Sequence, residues 1–202
     1  MRSSIIILSF FALGIGLALS GLLPQWMLNE SLSTYALYLL MLIVGISVGS
    51  DNSMSEIFRR MKLVHLLVPI GVILGSLAGA VIISLFIHQI SHGTAMAIGA
   101  GFGYYSLSAI LISGIRGDEA GVVALLANIF REVFTLVMAP FLVKLFGRFS
   151  IIASGGATAM DTTLPVIVRF SGKEMTVIAI LSGIVLSLLV PVLVPFLLIF
   201  FS

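Results

Sequence analysis

Two acidic residues stand in almost wholly apolar sequence: Glu132 in FREVF and Asp161 in GGATAMDTTLP. If these runs lie in a bilayer, each charge sits at or near hydrocarbon depth. A charged residue at the centre of a membrane helix costs roughly 2.5–3.5 kcal/mol on insertion scales, and such residues face a cavity, a partner or an ion path. Away from water a carboxyl resists ionisation, whereas an approaching cation favours the ionised form. Proton and cation then compete for one group, which is the minimal physics of proton-coupled cation transport. A cationic organic substrate or a small cation therefore suits the pair.

Each acid has polar neighbours. Asn128, Arg131, Glu132 and Thr135 occur together, with Asn128 and Glu132 four residues apart and so on one helical face. Arg131 and Glu132 are also open to purely structural roles, paired with other helices or each other. Asp161 is followed by Thr162 and Thr163, with Gly155 and Gly156 before it and Pro165 after it. Asp161 or Thr162 could cap a half-helix starting at Thr163 or Leu164, where a first-turn proline costs little. Capping and binding can coexist, because half-helix ends leave backbone groups free for ions and substrates. A third polar group comes from GAGFGYYSLS, whose Tyr104, Tyr105, Ser106 and Ser108 could supply neutral hydrogen bonds or simply pack between helices.

The composition requires the membrane. The chain has 202 residues, 60% hydrophobic and 9% charged, against about 25% charged in soluble domains. We therefore expect an all-α integral membrane protein, a single transmembrane domain over residues 1–202, in contact with lipid. The net charge of +2 is too small and scattered for nucleic-acid binding. The absence of cysteine rules out disulfides, thiolate metal sites and thiol nucleophiles. His65, His88 and His92 have no metal-site spacing with a third ligand, so no metal or cofactor is expected. GAGFG lacks the soluble strand of a dinucleotide loop. Asp161-Thr162-Thr163 resembles an aspartic-protease triplet, but no second carboxylate is assured, and the chain reads as a non-enzyme.

At about 20 apolar residues per span, about seven segments fit: 4–23, 33–50, 63–87, 94–115, 119–146, 151–168 and 175–201. The first is read as an uncleaved span rather than a signal peptide, with Trp26 at the interface. Segments 94–115 and 151–168 read as interrupted helices: Gly99, Gly101 and Gly103 break one, SGGATAMDTTLP the other. Pro140, Pro191 and Pro195 are expected to kink or end their helices. Simple alternation places Arg2, Arg59, Arg60, Lys62, Arg116, Arg169 and Lys173 on one side and Lys144 and Arg148 on the other. The N-terminus is then cytoplasmic and the C-terminus outside. Alternation also runs the two interrupted segments in the same direction, so it predicts no inverted pair.

These motifs resemble the lysine exporter (LysO) family of bacterial inner-membrane transporters. The matching stretches are GLALSG, LLMLIVGISV, GAGFGYYSLSAIL, LANIFREVFTLVMAP, SGGATAMDTTLPVIV and GIVLSLLVPVLVPF, spanning nearly the whole chain. The resemblance implies export of L-lysine and its analogue thialysine; the competition of proton and cation at the two acids makes antiport against protons the expected driving force. It implies two intramembrane acids, one in an RE pair and one in an MD-T-LP motif, which fall on Glu132 and Asp161. The chain resembles the C-terminal two-thirds of longer members, whose additional N-terminal helices a small membrane subunit or a homodimer could supply.

Overall fold

In the computed structural model the described residues are Ser9, Leu13, Gly14, Gly16, Leu17, Leu19, Ser20, Tyr35, Leu39, Leu42, 63–87 and 89–201. The chain forms two units, 1–46 and 47–202. In the first, the described positions are helical, with a turn at Ser20. The expected spans 4–23 and 33–50 otherwise lie outside the described residues, as do Arg2, Trp26, Arg59, Arg60, Lys62 and His88.

The described part of the second unit is helical, with no strand. Its helices are α1 (Leu67–Ser84), α2 (His92–Gly99), α3 (Tyr105–Arg116), α4 (Asp118–Phe146), α5 (Ser150–Gly155), α6 (Leu164–Ser171) and α7 (Thr176–Phe200). Tight 3₁₀ turns occupy Leu63–Leu66, Gly156–Met160 and Lys173–Met175. Among the described residues, three helical stretches are long and apolar enough to cross a membrane: Leu67–Ser84, Asp118–Phe146 and Lys173–Phe200. The prolines end none of them, since α4 continues through Pro140 and α7 through Pro191 and Pro195.

The sequence pattern of α4 is that of a membrane helix with a polar inner face. Its exposed positions include Val123, Phe130, Phe134, Val137, Phe141 and Leu145, whereas Ala124, Asn128, Glu132, Thr135 and Ala139 are buried. Spacings of three and four residues put each set on its own side. Apolar side chains thus face outward, and the polar stripe faces other helices, as hydrocarbon surroundings demand. Asp118 and Glu119 in the first turn and Lys144 in the last complement the helix dipole.

Between the long helices the chain folds back on itself twice. The first hairpin is α2 and α3. Its entry is tied to the end of α1, where Ser84 Oγ lies 2.7 Å from His92 Nδ1, and a Cβ on Gly93 would strike the Phe201 carbonyl. Its exit returns to the same end of the molecule, because Arg116 donates to the Leu198 carbonyl at 3.0 Å. A continuous 25-residue helix would separate those ends by about 37 Å at 1.5 Å per residue. The second hairpin is α5 and α6. Ser171 Oγ donates to the Arg148 carbonyl at 2.9 Å, and Arg148 pairs with Glu174 at 2.7 Å, so its entry and exit also coincide. Because α4 separates the hairpins, they enter from opposite ends.

This corrects the alternating topology. Lys144, Arg148, Arg169 and Lys173 gather at one end of the fold and Arg116 at the other, so Arg116, Lys144 and Arg148 each change sides relative to the sequence expectation. The reversal is made by backbone that a continuing helix cannot adopt. Phe102 has φ 48° and Gly103 φ 94° at the first tip, and Gly156 has φ 64° at the second. The left-handed conformation costs an ordinary L-residue about 1–2 kcal/mol, and Phe102, fully buried, is held there by packing.

The tips meet inside the fold. Ala157 N donates to the Phe102 carbonyl at 2.8 Å, one broken backbone satisfying the other. Irregular backbone at membrane depth is tolerated only where protein or an aqueous cavity surrounds it. α7 backs the second tip closely: a Cβ on Gly183 would lie 2.7 Å from Met160 Cβ and 2.8 Å from the Ala157 carbonyl. An apolar cluster of Ala139, Ile151, Ile152, Ala159, Ile167, Ile178 and Ala179 then packs this hairpin between α4 and α7.

Candidate functional site

The first break is braced from α4. Asn128 Oδ1 accepts from Gly103 N at 2.8 Å, and Nδ2 donates to the Ile98 and Ala124 carbonyls at 3.1 and 2.9 Å. One amide thereby accepts from the Gly103 amide and adds a second donor to the Ile98 carbonyl, which also accepts from Gly101 N at 3.2 Å. Ser108 Oγ is also buried here and donates to the Tyr105 carbonyl at 3.3 Å.

Arg131, one turn further on, serves the other hairpin. Its Nε donates to the Ser154 carbonyl at 2.8 Å, Nη2 to the Ala153 carbonyl at 3.0 Å and Nη1 to Ser76 Oγ at 2.9 Å. The guanidinium thus closes the carbonyl end of α5, where a cation is electrostatically favoured, and ties it to α1. Thr135 Oγ1 reinforces the junction, lying 2.7 Å from Ser154 Oγ.

Asp161 lies at the second tip. Its Oδ1 accepts from Thr162 N at 2.5 Å and from Thr162 Oγ1 at 3.3 Å. Thr163, rather than Asp161 or Thr162, occupies the N-cap position of α6, without a side-chain capping bond. Its hydroxyl donates back to the Thr158 carbonyl at 2.9 Å, holding the turn. Pro165 takes its place in the first turn of α6, as its fixed φ favours.

A cavity of about 140 Å³ opens at the meeting of the tips. Tyr104, Tyr105 and Ser106 line it from the first hairpin, Thr158, Asp161 and Thr162 from the second, and Ser187 from α7. The structure therefore gathers Tyr105, Ser106, Asp161 and Thr162 around one space. Asn128 and Arg131 line a different space, a groove of about 410 Å³ between α1, α2 and α4. Glu132 is fully buried on α4 and does not line the cavity that Asp161 borders. Ser108 and Thr163 are buried in the frame of the tips rather than at the cavity wall.

Sequence reasoning missed Thr158 and Ser187. Ser187 carried a signal, as an isolated hydroxyl in the aliphatic run GIVLSLLVP. Only the fold shows that Ser187 borders the cavity at the tips.

Three long apolar helices pack with two opposed helical hairpins, and an acidic residue borders the cavity where the hairpins meet, the kind of broken-helix site that membrane transporters use. Residues 8–198 match the family described as lysine exporter LysO, and the chain belongs to that family. The lysine exporter LysO of Escherichia coli (strain K12) is 36% identical over 185 residues, which cover 91% of this chain and 60% of that protein. A Haemophilus influenzae protein (strain ATCC 51907 / DSM 11121 / KW20 / Rd), provisionally named a lysine exporter, is 34% identical over 185 residues, covering 90% of this chain and 92% of its own length. The chain thus spans about 60% of the Escherichia coli relative and nearly all of the other. No solved structure matches.

Proposed function

We propose that the chain exports L-lysine, and analogues such as thialysine, across the bacterial inner membrane in exchange for protons. The observation that carries this reading is the placement of Asp161. In a chain of the lysine exporter family, it lines a cavity between two opposed hairpin tips, ringed by hydroxyl side chains. That cavity is small beside the roughly 300–1,000 Å³ of general ligand pockets, which favours a compact ionic group over a bulky apolar one. Asp161 balances a substrate ammonium; Glu132, fully buried on α4, exchanges the proton that couples the cycle. Tyr105, Ser106 and Thr162 supply neutral hydrogen bonds. Thr163, Ser108, Asn128 and Arg131 keep the tips in place.

The proposed frame has α1, α4 and α7 crossing the membrane and the hairpins as re-entrant interrupted segments. The end bearing Lys144, Arg148, Arg169 and Lys173 faces the cytoplasm by the positive-inside rule. α7 then ends outside, as alternation also had it, because two re-entrant segments cancel in the count. With spans 4–23 and 33–50 added, the N-terminus is cytoplasmic.

Export of radiolabelled lysine from preloaded vesicles tests the reading. The parent chain is expected to release lysine faster when protons can enter in exchange. Asp161→Asn and Glu132→Gln are each expected to reduce release at least about a hundredfold at normal expression. Wild-type rates in both variants would refute the site.

A second reading follows from the 60% coverage of the Escherichia coli relative. In it the chain is a membrane subunit that transports only together with further helices, from another small chain or a second copy. Lysine release by this chain reconstituted alone as a monomer would refute it.

A further inference from the structure

Ser187 lies in the interior of α7, 2% exposed, and its Oγ has no hydrogen-bond partner among the described residues. A serine within a helix commonly spends its hydroxyl on a carbonyl of the preceding turn. Ser84 does so with Val81 and Ser108 with Tyr105. Neither Ser182 nor Ser187 of α7 does so, and of the two it is Ser187 that lines the cavity. Gly183, four residues earlier on the same face, is pressed against Met160 and the Ala157 carbonyl of the second tip. One turn on, that face meets the cavity that Asp161, Tyr104, Ser106 and Thr162 also line. α7 therefore contributes a buried hydroxyl to a polar space at its own helix interior.

We infer that Ser187 is a substrate-contacting residue, its hydroxyl accepting a hydrogen bond from the ammonium group that Asp161 balances; the inference rests on the reading of this cavity as the site of a cationic amino acid. An ammonium presents three N–H donors. Asp161 Oδ1 already accepts from Thr162, through both its amide and its hydroxyl. A carboxylate so engaged leaves donors of the ammonium to neutral acceptors, and Ser187 Oγ is a buried acceptor with its hydrogen-bonding capacity unspent. Such a contact selects for N–H donors: a substrate methylated on nitrogen leaves the hydroxyl without its partner.

The chain has no cysteine, so a single introduced thiol is a unique probe. The full chain bearing Ser187→Cys is labelled in vesicles with 2-aminoethyl methanethiosulfonate, a small ammonium-bearing thiol reagent. Ser182→Cys serves as the comparison, since Ser182 is fully buried on the same helix but does not line the cavity. The expected result is faster labelling of Ser187→Cys, slowed by excess lysine. In the transport assay Ser187→Ala is expected to raise the half-saturating lysine concentration at least about tenfold, with Ser187→Thr restoring most of the loss, as for one hydrogen bond to a charged group.

If the parent exports lysine but Ser187→Cys labels no faster than Ser182→Cys, or lysine does not slow it, the inference is overturned while the export reading stands. If the parent moves no lysine but ornithine or cadaverine slows labelling at Ser187→Cys, the lysine reading fails and the ammonium contact survives. Should none of the three amines slow labelling, Ser187 is not a contact for an ammonium group.

Discussion

The brace between Asn128 and the first break yields a prediction with a sign that simple loss of stability would not share. Asn128→Ala deprives Gly103 N of its acceptor and the Ile98 carbonyl of a donor, at a buried turn. A buried polar group left without a partner costs about 1–3 kcal/mol. We take about 2 kcal/mol for the variant, which lowers the unfolding midpoint by about 4–8 °C for a chain of this size. Gly101→Ala attacks the same contact sterically. Its Cβ would lie 2.6 Å from Asn128 Nδ2 and 2.8 Å from Ser108 Oγ. The serine hydroxyl can rotate away, but the amide is fixed by its bonds to Gly103, Ile98 and Ala124. In the double variant the obstructing amide is gone, so the second substitution costs little beyond the first. The two losses must therefore fall short of additive by at least about 1 kcal/mol, since directly contacting residues couple by about 0.5–3 kcal/mol. Thermal unfolding of the purified parent, both single variants and the double variant in one detergent measures the cycle. Additive losses, or an unchanged midpoint for Asn128→Ala, would refute the brace.

The fold-back topology predicts that an impermeant thiol reagent labels Arg148→Cys and Glu174→Cys from one side of the membrane and Arg116→Cys from the other; a through-running second hairpin would put Arg148 and Glu174 on opposite sides. Arg131→Lys keeps the charge but loses the planar fork that reaches Ala153, Ser154 and Ser76 together. It should destabilise by about 2 kcal/mol, with recovery to the parent's unfolding midpoint counting against the clamp. Gly183→Ala forces α7 away from Met160 and Ala157, and is expected to cut export more than tenfold with normal expression. Arg148→Ala removes an exposed ion pair and should shift stability by less than about 1 kcal/mol, read by the same thermal assay.

The sequence made the apolar outer face of α4 and the places where helical bonding stops legible, because both depend on local spacing. Apolar residues every three or four positions mark one side of a helix, and clustered glycines with a following proline mark where helical bonding stops. Direction after a break is a different matter. Whether the chain continues or turns back depends on a few dihedral angles at Phe102, Gly103 and Gly156, and on the bond from Ala157 N to the Phe102 carbonyl. That bond joins residues 55 apart, and no periodicity encodes it. The assignment of Arg116, Lys144 and Arg148 to ends of the fold inherited the error.

Residue type located the candidate site better than it assigned parts within it. Asn128, Arg131, Glu132 and Asp161 are all polar groups in apolar sequence, so cost alone cannot rank them. Their hydrogen bonds do. Asn128 and Arg131 spend theirs on backbone that the two breaks expose, one serving each hairpin. Asp161 binds only the adjacent residue through Oδ1 and otherwise borders the cavity. A polar residue that repairs the fold and one that meets a substrate are alike in sequence, and they part company in where their donors and acceptors go. By that measure Arg131 is a clamp on α5, its Nε, Nη1 and Nη2 each already engaged. Ser187, the least conspicuous polar residue of the group, has a buried hydroxyl with nothing in the described fold to repair.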